Sequence, residues 1–149
     1  MFDSLGISYI REFTISFTGY ARRCARVDFL LTTYWGWTVL EVDERSHAQY
    51  SIKHECNRME MIFGEFAKRH PGSRLHIIRF NPDAYKHNGM IIKPPTREAQ
   101  EQALRHALEF VPFQPLTISY LFYRRGSGGT PEVTQHSDYS CQGRLGIVF

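Results

Sequence analysis

Across residues 38–58, TVLEVDERSHAQYSIKHECNR, an apolar run becomes a dense polar cluster while the hydrophobic period changes from two to about 3.6. That switch calls for a strand running directly into a helix. Trp37, Val39, Glu41 and Asp43 share one face of the strand, and Thr38, Leu40 and Val42 share the other, as in a mostly buried strand. Its C-terminal end therefore carries two carboxylates on one side, about 7 Å apart by strand geometry. Like charges so placed repel, and the arrangement invites a cation between them. The helical pattern runs from about 46 to 69 and brings His47, Glu55 and Arg58. Ile52, Cys56, Met59, Phe63 and Phe66 form its apolar stripe, read as core packing. Glu55 and Arg58, three apart, are placed to pair on the helix surface.

The flanking segments supply the rest of a sheet. Phe13, Ile15 and Phe17 alternate with polar residues over 8–18, a half-buried strand. Residues 23–33 are apolar on both faces apart from Asp28. A lone Asp in such a run is costly unless it is hydrogen-bonded, paired to an arginine such as Arg26, or bound to a cation. Short turns join these strands to the one beginning at Trp37, which predicts an antiparallel meander. After His70, Pro71 and Gly72 end the helix, 74–80 (RLHIIRF) reads as a strand returning parallel to the central one through a right-handed crossover. Arg79 near its end is placed to face a phosphate or to neutralise the acidic cluster. Residues 86–95 read as a loop, and Thr96 as the cap of a second helix broken by Pro112 and Pro115. A fifth strand is expected over 116–124, a flexible loop over 125–131, and a weak final strand over 146–149. The expected fold class is α/β (α+β): a mixed central sheet of about five strands flanked by helices, in one domain over 1–149.

Composition narrows the class of partner. Eighteen Lys plus Arg against fifteen Asp plus Glu give a net charge of +3, which permits a polyanionic ligand without requiring one. Arg22, Arg23, Arg26, Arg124 and Arg125 fall in clusters suited to forked phosphate contacts, a solvated basic rim being the alternative. Cys24, Cys56 and Cys141 are odd in number and lack a CxxC pair, so reduced thiols in an intracellular protein are expected, with no cysteine zinc site. No apolar run long enough to span a bilayer and no signal-peptide pattern is found, so no membrane partner is expected.

Asp28, Glu41 and Asp43, converging from two neighbouring strands, form the kind of oxygen-rich set that holds Mg²⁺. His47 lies close enough in sequence to serve as a proton shuttle, capping or solvation being its other outlet. VDF at 27–29, LEVDERSH at 40–47, ECNR at 55–58 and IIRFNPDAY at 77–85 together resemble the PD-(D/E)XK nuclease superfamily. The likeness is to its branch similar to very short patch repair endonucleases, and to nuclease-like proteins of large DNA viruses and phages. Tyr50 and Tyr85 fit tyrosine positions of that group. The resemblance covers about 8–123 and implies a restriction-endonuclease-like fold and Mg²⁺-dependent hydrolysis of DNA phosphodiesters, with Mn²⁺ as a substitute. It makes Asp28 and Glu41 metal ligands, puts Asp43 where many relatives carry the catalytic lysine, and matches His47 to the repair-branch histidine. It implies an intracellular, DNA-associated protein, monomeric or homodimeric, of cellular, viral or phage origin, and an N-terminal helix cut short at Met1. Arg58 and Arg79, with Arg23 and Arg26, are the expected phosphate or DNA contacts. The alternative is a nuclease fold that binds nucleic acid without cutting it.

Overall fold

The computed structural model describes residues 6–19, 24–44, 51–137 and 139. Strands β1 (Tyr9–Ser16), β2 (Cys24–Thr33) and β3 (Gly36–Val42) form the antiparallel meander expected from their alternation. Helix α1 (Ile52–Arg69) crosses over to β4 (Arg74–Phe80), which lies parallel to β3. A hairpin of β5 (Tyr85–His87) and β6 (Met90–Ile92) and helix α2 (Arg97–Glu109) then lead to β7 (Leu116–Leu121), parallel to β4. The sheet order is β1-β2-β3-β4-β7, a mixed five-stranded sheet. The helix expected from residue 46 is described from Ile52, capped by the Ser51 hydroxyl; 45–50 lie outside the described residues, as does the strand expected over 146–149.

Each helix covers one face of the sheet. Val27, Val39, Ile77 and Ile118 pack against Cys56, Met59 and Ile62 of α1, and Leu40, Ile78 and Leu121 pack against Leu104 and Leu108 of α2. The alternation within β3 places Val39 toward α1 and Leu40 toward α2, as read from the sequence. Gly36 is obligatory at the β2–β3 turn, since a Cβ there would meet the Arg74 carbonyl oxygen at 2.2 Å.

Two segments differ from the sequence reading. The stretch 86–95, read as a loop, holds the β5–β6 hairpin, turned by Asn88 (φ 49°) and Gly89 (φ 78°). Asn-Gly between two short apolar strands is the signal for such a turn. The fifth strand ends at Leu121 rather than Arg124, because Phe122 takes a left-handed backbone (φ 61°). That twist sets both Tyr120 and Tyr123 on the α1 side, while the Phe122 ring meets Phe80 on the other, edge-on at 5.9 Å. Asn81 braces the break by donating from Nδ2 to the Phe122 carbonyl at 3.1 Å.

Candidate functional site

The site lies where the sheet forks. β2 and β3 pair from Phe29–Leu40 to Thr33–Gly36, while Glu41 and Val42 continue beside Arg79 and Phe80 of β4. At Asp28 the inward-facing positions of β2 change parity: Val27 faces α1, Phe29 faces α2, and Leu30 faces α1 again. Glu12, opposite Asp28 in the β1 register but not paired with it, has φ 51°, so the β1–β2 ladder is interrupted at this step. The fork leaves backbone groups without ladder partners, and side chains supply them. Asp28 Oδ2 accepts from the Val42 amide at 2.7 Å, and Arg58 Nη2 donates to the Arg26 carbonyl at 2.6 Å. Asp28 thus meets the cost of its position through a backbone hydrogen bond, while Arg26 pairs with Glu12 at 2.5 Å on the surface.

Each carboxylate of β3's end and its extension has its own guanidinium. Arg58 Nη1 sits 2.6 Å from Glu41 Oε1, with side chains 11% and 5% exposed. Arg79, 3% exposed, donates from Nε to Asp43 at 2.5 Å and from Nη2 to Glu55 at 2.7 Å. Asp43 also accepts from the Tyr123 hydroxyl. The cation that the sequence placed between Glu41 and Asp43 is therefore supplied as two arginines from neighbouring elements. Arg58 turns inward to Glu41 instead of remaining on the helix surface beside Glu55. Arg79 is buried and committed to carboxylates, the second of its two expected outlets, neutralising the acidic cluster rather than facing a phosphate.

The three carboxylates expected as a ligand set have different partners. Among the described residues no three His, Cys, Asp or Glu side chains are grouped so as to hold a metal ion. Asp43 Oδ2 is occupied by Arg79 and Tyr123, whereas Asp28 is near enough to Glu41 to push its carboxyl up. His47, Arg23 and Tyr50 lie outside the described residues. Tyr85 lies on β5, and Arg26 of β2 is exposed.

The electrostatics single out Glu41. Burial pushes its carboxyl above the ordinary range; Arg58 and Arg79 act in the opposite direction without cancelling the shift, and Asp28 reinforces it. Glu41 Oε1 is shielded from water, and its contact with Arg58 is close but not aligned as a hydrogen bond. Tyr123 stays a phenol, its titration driven well up by burial and then by Asp43. Arg79 stays a cation: burial disfavours the charge more than any one neighbour favours it, but Asp43, Tyr123 and Glu55 together outweigh burial. Among the described residues, the carboxylates of Glu41, Asp43 and Glu55 meet the guanidiniums of Arg58 and Arg79, with the His54 ring 3.4 Å from Glu55.

Neither models of protein families, nor curated proteins, nor solved structures match this chain. The site is therefore argued from its own geometry. The residues present fit a Mg²⁺ ion held by one or two carboxylates plus water and a phosphate oxygen. Asp28 and Glu41 would be that pair, with a metal at Glu41 Oε1 displacing the Arg58 guanidinium that stands 2.6 Å from it. Tyr123 was not legible as part of the site, because its position depends on the left-handed turn at Phe122. Glu55 belongs to the quoted ECNR segment, but its partner Arg79 is brought to it only by the crossover.

Proposed function

We propose that this chain is a metal-dependent DNA endonuclease whose reacting centre lies at the fork between β2 and β3. The observation that supports this reading most is Glu41: buried, its carboxyl pushed up, and beside a second carboxylate, Asp28, at the end of a central strand. A bound Mg²⁺ would polarise an attacking water and offset charge on the phosphate. Asp28 and Glu41 would hold that ion. Asp28 remains pinned by the Val42 amide, which fixes its position before substrate arrives. Arg58 shields Glu41 through Nη1 and holds the Arg26 carbonyl through Nη2, so a phosphate oxygen would reach it by displacing one of these contacts. Asp43 keeps Arg79 and Tyr123 in place rather than binding metal. His47 is the proposed proton shuttle.

The test is cleavage of supercoiled, linear, mismatched and branched DNA with Mg²⁺, Mn²⁺ or EDTA. The wild-type chain should cut in either metal and not in EDTA, and Glu41→Ala and Asp28→Ala should each lose at least about 100-fold, the scale of losing a principal stabiliser of transition-state charge. Cutting that survives in both variants overturns the mechanism.

A second reading is a nuclease-like fold that binds nucleic acid without cutting. The close Arg58–Glu41 pair favours it, because a guanidinium already opposes the carboxylate without a metal. Binding that is equal in Mg²⁺ and EDTA, with no cutting, selects this reading.

A further inference from the structure

A cleft of about 440 Å³ opens between the β5–β6 hairpin with the loop that follows it and the segment after β7. Its volume is that of a small-ligand site. The walls are aromatic, with Tyr85, Phe122 and Tyr123, and the rim is cationic, with Lys93, Arg124 and Arg125. Arg124 is tied to Glu132, whereas Lys93 and Arg125 are exposed and form no ion pair among the described residues. His87 also lines the cleft, and its Nδ1 is shielded from water with no hydrogen-bond partner among those residues. Three cationic side chains face one lining carboxylate, Asp83.

An aromatic floor beneath a cationic rim suits a flat, apolar ring attached to an anion. Nucleic acid supplies that combination at every residue once its bases are unpaired, and base–aromatic stacking tolerates any sequence. A paired base, already stacked on its neighbours, cannot enter a cleft of this shape without being splayed out. Tyr123 joins the cleft to the fork, because it lines the cleft while its hydroxyl reaches Asp43. A base seated in the cleft would therefore bring its own strand toward Asp28 and Glu41.

We propose that the cleft receives an unpaired nucleotide of a DNA strand, with the base against Tyr85 and the adjoining phosphate at Lys93 and Arg125. This rests on the nuclease reading and narrows its substrate to DNA carrying a single-stranded or splayed segment. The hairpin is then a recognition element, and the exposed side chains of Lys93 and Arg125 are phosphate contacts.

The test is equilibrium binding of a labelled octanucleotide and of its blunt duplex in EDTA over a range of salt, with Tyr85→Ser, Lys93→Ser and Arg125→Ser beside the wild-type chain. The single strand should bind more tightly than the duplex. Tyr85→Ser should weaken it about 5- to 150-fold, the range of one lost stack. Lys93→Ser and Arg125→Ser should each reduce the slope of log affinity against log salt by about 0.7. Equal or tighter binding of the duplex, or single-strand binding unchanged in all three variants, overturns the proposal. Tyr85→Ser touches no strand of the main sheet, and the two basic residues are exposed, so matching circular dichroism is expected throughout. The two readings fail separately. Mg²⁺-dependent cutting with binding insensitive to these variants removes the cleft and keeps the nuclease. Sensitive binding by a chain that never cuts keeps the cleft as a binding site and removes the nuclease.

Discussion

Two glutamates are shut away between α1 and the sheet, Glu65 at 2% exposure and Glu41 at 4%, yet their carboxyls are pushed in opposite directions. Glu65 is held down to about 2, first by the Thr18 amide and then by Lys68. The Thr18 hydroxyl also donates to it at 2.9 Å, and Arg69 approaches to 3.7 Å. Glu41 is pushed up by burial, with a single guanidinium in close contact and another carboxylate nearby. The shifts are opposite because burial is the leading influence at Glu41, whereas at Glu65 the Thr18 amide and Lys68 outweigh it. Glu65 is a completed joint that pins the end of β1 to α1. Glu41 is a position where the fold tolerates an incompletely satisfied charge, which is where a ligand has something to add.

The largest effect that would sharpen this contrast is expected beside Glu41. Arg79→Met leaves Asp43 and Glu55 facing each other without their shared cation, and removing one partner of a buried pair costs about 3–5 kcal/mol. Urea unfolding at pH 7 should show that loss, and an unchanged midpoint would remove Arg79 from its central place. Next comes the opposite face of the sheet, which serves as a control for acid titrations. Burial lowers His76 to about 4, and its ring meets the Ser119 hydroxyl at 2.8 Å. A depressed folded value means that stability is intact above about 6.5 and is lost as pH falls toward 4, by up to about 3 kcal/mol. His76→Gln should flatten that part of the profile.

Smaller and opposite effects are expected at the two glutamates themselves. Glu65→Gln should lower the melting temperature by a few degrees at pH 7. Because the folded value is depressed, its contribution is present above the unfolded value of 4.5 and is lost as pH falls through about 2, so variant and wild type should converge there. Glu41→Gln should act the other way. A raised folded value favours the native state below the ordinary carboxyl range, and that contribution disappears as pH rises through the folded value. At pH 7 the variant should therefore match the wild type or melt slightly higher. Equal losses in both variants would break the contrast.

The framework of the molecule was legible because periodicity reports burial. β4 was bounded at 74–80 as it stands, Thr96 caps α2, and the parallel placement of β4 follows from the crossover rule. The hairpin was missed although Asn88-Gly89 announces it, because its strands are only three residues long. At the site, Asp28, Glu41, Asp43 and Arg58 do converge on one end of the sheet. Their roles were not readable, since strand alternation shows which face a side chain takes but not which partner reaches it first. Asp43 is captured by Arg79 one strand away and by Tyr123, which depends on a left-handed residue that no sequence pattern marks. The ladder interruption at Asp28 and Glu12 was equally invisible, because both strands keep their register through it.

The measurement closest to the central claim is the melting temperature of wild-type and Glu41→Gln chains with and without saturating Mg²⁺ or Mn²⁺, at several pH values. A metal that binds the folded chain at Glu41 stabilises it by mass action. The wild type should melt higher in metal, the gain should shrink as acid protonates Glu41, and Glu41→Gln should lose most of it. A wild type indifferent to both metals, or an equal gain in the variant, would contradict the assignment of Glu41 as the metal-binding carboxylate.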